Sequence, residues 1–169
     1  MYVPKIPENS LKDKIEKLIE LCEKYYDEES GEVYRFEDAV SEEEMTKWEE
    51  ENGAKIPESY KEWLRFTGDC VIRTHSAWFW GPKDFNSVGV PEDYVVIGSL
   101  IGDGEIVCFS KSTGKIIDLF EGEEEIYDSF EDVLDGVIDH IDEGKNSISD
   151  ETMDMMLKKY YEDKAKGLI

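Results

Sequence analysis

The segment 41–68, SEEEMTKWEEENGAKIPESYKEWLRFTG, limits the possible folds more than any other part of this chain, because it encodes two short amphipathic helices around an Asn-Gly-x-x-Ile-Pro turn. Ser41 followed by Glu44 is a capping box, in which hydroxyl and carboxylate each satisfy an amide that the first helical turn leaves orphaned. Val40 and Met45 stand at the hydrophobic-staple positions around it. Asn52-Gly53 ends the first helix, since glycine tolerates the left-handed conformation of a helix C-terminus. Pro57 suits the first turn of the next. On that second helix Tyr60, Trp63, Leu64 and Thr67 share one side, with Glu58, Lys61, Glu62 and Arg65 toward water and Gly68 as terminator.

The rest of the chain supplies a sheet and further helices. Asn9 or Ser10 opens a helix with Leu11, Ile15, Leu18, Cys22 and Tyr25 or Tyr26 on one face, and the run Asp27 to Gly31 closes it. Glu32 to Phe36 reads as a short strand, and Cys70 to Arg73 can join the same sheet. The segment 74–91 has no regular period; with Trp78-Phe79-Trp80, Gly81-Pro82 and Gly89-Val90-Pro91 it reads as loop or sheet edge. Strands are expected at Tyr94 to Ser99, Glu105 to Ser110 and Lys115 to Phe120. The turns between them, Gly102-Asp103-Gly104 and Ser112-Thr113-Gly114, are too short for anything but antiparallel neighbours. Ser129 caps a helix in which Phe130, Val133, Leu134, Val137, Ile138 and Ile141 recur at helical spacing up to Gly144. A last helix begins near Ser149 and carries Met153, Met156, Leu157 and Tyr160. The sum is one α+β domain over residues 1–169, an antiparallel sheet with helices packed mainly on one face.

The Ser41-Glu-Glu-Glu-Met entry, Trp48-Glu49, the Ile56-Pro57-Glu58-Ser59-Tyr60-Lys61 junction, Trp63-Leu64 and Gly68 together resemble the SUKH superfamily. The downstream order of YVVIGS, EIVCFS, KIIDLF and a helix opening at SFEDVL is similar to that superfamily too, so the resemblance spans residues 36–141. The flanks are a helix and strand in 1–35 and a helix in 147–169. One departure is the Thr67-Gly68-Asp69-Cys70 turn, where the family usually writes Asn-Gly-Gly. The resemblance implies a SUKH-like fold and a non-enzymatic protein-binding module, either an immunity protein that neutralises a toxin, such as a nuclease, or a regulator of cell-wall synthesis of the Smi/Knr type.

Charge narrows the partner. With 42 acidic and 19 basic residues the formal charge is −23, which disfavours nucleic acid and anionic membrane and favours a basic protein, such as a cognate toxin. Cys22, Cys70 and Cys108 form neither a disulfide framework nor a zinc motif, and the N-terminus lacks the regions of a signal peptide. A soluble cytoplasmic protein is expected. His75 and His140 have no local company for a nucleophilic triad. Asp132, Asp135, Asp139 and Asp142 lie along one helix as a solvated stripe, without the converging loop that calcium requires. Gly102-Asp103-Gly104 lacks the Lys and helix of a phosphate loop. No catalytic residue, metal or cofactor is therefore assigned.

Binding residues can be named. Trp78 and Trp80 offer aromatic anchors if their segment is a loop, although strand alternation would instead bury Phe79 or the two tryptophans. The acidic run Glu121, Glu123, Glu124 and Glu125, with Asp128, reads as a solvated loop ahead of the Ser129 helix and could meet a basic partner. A third reading makes Trp78, Trp80 and Asp103 the walls of a small-molecule or enzymatic cleft.

Overall fold

The computed structural model describes residues 2–26, 34–72, 77–100 and 104–146. Asp103, His75 and the helix expected from Ser149 lie outside the described residues. Helix α1 spans Lys12–Tyr25, α2 Glu42–Asn52, α3 Glu58–Leu64 and α4 Phe130–Asn146. The strands are β1 Tyr34–Phe36, β2 Asp69–Ile72, β3 Ala77–Trp80, β4 Tyr94–Leu100, β5 Glu105–Ser110, β6 Ile116–Phe120 and β7 Glu123–Tyr127. They form one antiparallel sheet in sequence order, β1 through β7.

The local signals of the 41–68 segment are realised atom by atom. Ser41 Oγ accepts from the Glu44 amide at 3.2 Å, while a Glu44 carboxylate oxygen accepts from the Ser41 amide at 2.9 Å. Gly53 closes α2 in the left-handed conformation, at φ 60° and ψ 30°. Three helix boundaries differ. Helix α1 starts at Lys12, not Asn9 or Ser10, α3 stops at Leu64, not Gly68, and α4 runs past Gly144 to Asn146. Gly68 has a steric reason instead: a Cβ there would stand 2.9 Å from Val40 Cγ2, and one on Gly81 would stand 2.5 Å from the Gly68 carbonyl oxygen. The chain before α2, the start of β2 and the end of β3 thus meet backbone to backbone, with the Gly68 amide donating to the Asp38 carbonyl at 2.8 Å.

Strand register decides which residues meet the helices. Phe36, Cys70, Phe79, Gly98, Val107, Asp118 and Glu125 lie opposite one another in a single row from β1 to β7. Because side chains alternate along each strand, they share one face with Tyr34, Ile72, Ala77, Phe109 and Ile116. Those apolar residues join α1, α2, α3 and α4 in one buried core. At its centre Trp63 meets Phe66, Phe79 and Phe130 with ring centroids 5.5, 5.9 and 5.5 Å away, and Tyr60 donates its buried hydroxyl to the Trp80 carbonyl at 2.7 Å.

Two expectations about the candidate binding residues need correction. Trp78-Phe79-Trp80 is neither loop nor edge: it belongs to β3, paired on both sides by β2 and β4. Its irregular composition misled because Gly98 on β4 provides the space. A Cβ at Gly98 would sit 2.1 Å from the Trp78 carbonyl oxygen, so this pairing depends on a distant glycine. The acidic run is likewise no loop. Glu121 and Gly122, at φ 50° and 87°, make a tight hairpin turn, and Glu123, Glu124 and Glu125 form most of edge strand β7. A row of charges is a common way to keep a sheet edge from pairing with another chain.

Candidate protein-interaction site

The other face of the sheet carries the second set of alternating residues. Arg35, Val71, Trp78, Ser99, Ile106, Leu119 and Glu124 are aligned across all seven strands. Val96, Cys108, Ile117 and Ile126 form a parallel row across β4 to β7. Neither row takes part in the core shared with the helices. Trp78 is 44% exposed and Ile126 61% exposed. Register therefore puts Trp78 and one residue of the acidic run, Glu124, on one face, separated by four strand spacings or about 19 Å.

Trp78 and Trp80, two residues apart on β3, share the open face, Trp78 exposed and Trp80 half-buried with its carbonyl accepting from Tyr60. Alternation divides the acidic run instead. Within β7, Glu124 and Ile126 lie on the open face, and Glu123 and Glu125 on the helix side. Tyr94 reaches from β4 over β5 and β6 to donate to the Glu124 carboxylate at 3.0 Å. The residues it spans, Cys108 and Ile117, are buried although no described helix covers them. Glu121 occupies the hairpin turn, and Asp128 bonds the Lys115 ammonium, which holds the Asp128 carboxyl below its usual range. Apart from Asp103, the named acids thus border one end of the sheet without forming a single cluster.

Two concavities were not foreseen. A groove of about 810 Å³ runs between the start of α2 and the turn after β3, lined by Asp38, Val40, Trp48, Gly68, Pro82 and Lys83 among others. Its charged groups are engaged: Lys83 bonds Glu37 at 3.1 Å, and Tyr2 donates to Asp38. A pocket of about 210 Å³ lies between the β5–β7 end of the sheet and α4, lined by Glu105, Asp118, Glu125, Tyr127, Gly136 and His140 among others. Asp118 is only 8% exposed, and its Oδ1 has no hydrogen-bond partner. Burial, a shared hydrogen bond with Glu105 and the nearby charge of Glu125 raise its pKa well above the usual carboxylate range. The sequence carried one sign of this site, an aspartate at an inward position of the otherwise apolar strand Ile116–Phe120.

The three cysteines are free and buried. Burial pushes the Cys70 and Cys108 thiols up to about 12, so neither supplies a thiolate at neutral pH. Among the described residues no group of three or more His, Cys, Asp or Glu side chains is arranged to hold a metal ion. No described helix is long and apolar enough to cross a membrane.

With a seven-stranded meander, helices on one face and the capped α2–α3 pair in place, one comparison decides the family. The model of the SMI1 / KNR4 family (SUKH-1) matches residues 39–136. The chain belongs to that family. No individual curated protein matches it. The SUKH-1 span starts just before the Ser41 cap and ends inside α4, so it takes in both tryptophans, the acidic edge strand and most of the walls of both concavities. SUKH-1 membership makes the chain, at family level, a non-catalytic protein-binding module.

Proposed function

We propose that this SUKH-1 protein is an immunity protein of the cytoplasm, which neutralises a polymorphic toxin by binding it directly through the open face of the sheet and the acidic β7 edge. The observation that carries the reading is the row from Trp78 to Glu124. A large aromatic stands exposed on an interior strand, and the same face ends in a carboxylate, that of Glu124, at the sheet edge. An exposed tryptophan within such a patch suits an anchor at the centre of an interface. The net charge of −23 suits a basic partner, for which a nuclease with a cationic nucleic-acid groove is the simplest case. Complementary fields raise association toward about 10⁸ M⁻¹s⁻¹ at low salt, against about 10⁵ to 10⁶ without them.

The test is to mix the protein with the toxin encoded beside its gene and to measure complex formation and rescue of growth. A complex with rescue is expected, with Trp78→Ala weakening affinity about 30-fold. Reversing Glu123 and Glu124 to Lys is expected to slow association and to flatten its salt dependence. No complex and no rescue would overturn the reading. Capture of envelope-synthesis proteins in their place would support a regulatory scaffold.

A further inference from the structure

The pocket between α4 and the β5–β7 end of the sheet is unlike the other acidic features of the molecule. Most exposed carboxylates here are solvated or paired: Asp128 with Lys115, Asp135 with Lys14, Glu42 with Arg65. Asp118 lines the pocket, is more than nine-tenths buried, and keeps one oxygen with no partner. Glu105 and Glu125 flank it, and no lysine or arginine is among the lining residues. An unpartnered buried carboxylate oxygen costs about 1–3 kcal/mol, so a fold under selection for stability alone has reason to lose it.

Gly136 adds a second, independent sign. It lies inside α4, where glycine costs about 1 kcal/mol relative to alanine. Its backbone is helical, and a Cβ there would meet nothing within 4 Å, so neither conformation nor packing requires glycine. Gly136 is among the residues that line the pocket. Its missing side chain keeps the space open.

We propose that this pocket is a binding site for one guanidinium group, the head of an arginine side chain presented by another protein. A planar guanidinium offers five donors in a fixed fork and can satisfy several carboxylate oxygens at once. An ammonium is a compact point charge with three donors and leaves more of this set unpaired. The volume of about 210 Å³ is many times the roughly 10–15 Å³ that one water needs, so the site admits a side-chain head with part of its stem. Tyr127 from β7 supplies an aromatic wall on which such a plane can stack. The other titratable groups lining the pocket come from three elements: Glu105 on β5, Glu125 and Tyr127 on β7, and Asp132 and His140 on α4. Arrival of a cation favours the ionised carboxylate, so binding releases a proton from the pocket near neutral pH. The site is distinct from the open sheet face, and its test needs no toxin.

The full chain is titrated with ethylguanidinium chloride, with sodium chloride at equal ionic strength as reference, while the side-chain carbon resonances of Asp118 and the amides of Gly136 and Val137 are followed by NMR. Saturable shifts are expected at these positions only with ethylguanidinium, together with a lower titration midpoint for Asp118. Gly-Arg-Gly is expected to compete for the same site, and n-butylammonium to bind at least fivefold more weakly. Gly136→Leu fills the space without a backbone clash and is expected to abolish the shifts while far-ultraviolet circular dichroism stays that of the parent. Asp118→Asn is expected to weaken binding at least tenfold. Linear shifts equal to those with sodium chloride, unchanged binding in a folded Gly136→Leu protein, or failure of Gly-Arg-Gly to compete would overturn the proposal. Tighter saturation by calcium chloride would overturn it in favour of a metal site.

Discussion

Two buried carboxylates show how differently this molecule treats the same chemical group. Glu49 on α2 is 5% exposed and Asp118 on β6 is 8% exposed. Glu49 Oε1 accepts from Lys61 Nζ at 2.7 Å and from the Ile56 amide at 3.0 Å, and its Oε2 accepts from Lys55 Nζ at 3.0 Å. Burial alone would raise its pKa, but the bonds from Lys61, Lys55 and Ile56 together outweigh it and leave the pKa lowered. Burial and two neighbouring acids, Glu105 and Glu125, instead leave the Asp118 pKa raised. The lesson is that burial does not by itself mark a functional group. A satisfied buried charge fixes the α2–α3 connection, whereas an unsatisfied one, beside a cavity and a helix glycine, suggests a ligand.

The largest effect should come from the closed side of the molecule. Phe79→Ala removes a ring packed against Trp63 and Phe130 and is expected to cost about 3–5 kcal/mol in urea unfolding, while Trp78→Ala, one residue away on the open face, stays within about 0.5 kcal/mol of the parent. Similar losses for both would erase the distinction between the two faces. Next, Glu49→Ala strands the half-buried Lys61 ammonium and the Ile56 amide and is expected to cost about 3 kcal/mol. Because the folded pKa of Glu49 is depressed, this stabilisation is present above the ordinary glutamate value and is lost as pH falls through the folded one. Unfolding curves from pH 7 down to pH 3 should therefore converge for parent and variant.

Asp118→Asn should have the opposite sign. A raised folded pKa means that stability is fully present below the ordinary aspartate value and is lost as pH rises through the folded one. The variant is expected to be about 1 kcal/mol more stable than the parent at pH 8 and no more stable at pH 4. A variant less stable at both would assign Asp118 to the core beside Glu49. The smallest effect is expected for Gly136→Ala, a gain of up to about 1 kcal/mol from helix propensity with no steric penalty, measured by thermal unfolding.

Much of the architecture is legible in the chain because it is local. The Ser41 capping box, the Gly53 stop, the β4–β5–β6 hairpins and the Phe130 to Ile141 stripe each depend on residues within a few positions of one another. Where the reading failed, a distant partner decided the outcome. The 77–80 segment is a strand because Gly98 lets β4 close on it, and Gly68 is glycine because Val40 and Gly81 crowd it. The acidic run is the exception: its partners Phe120, Leu119 and Asp118 are close in the chain, but a run of glutamates around one glycine carries the composition of a solvated loop.

The candidate sites divide in the same way. Residue types and net charge singled out Trp78 and the glutamates, but not the row that puts Trp78 and Glu124 on one face or the alternation that turns Glu125 away from it. Helices α1 to α4, the Ser41 and Gly53 caps, the β4–β5–β6 hairpins and the strongly negative charge were legible in the chain alone, since those follow from short-range sterics and composition. Only the tertiary structure decided which face of the sheet stays open and which carboxylates are satisfied. Register, a distant glycine and the partners of a buried group are fixed by residues far apart in the chain, so no local window contains them.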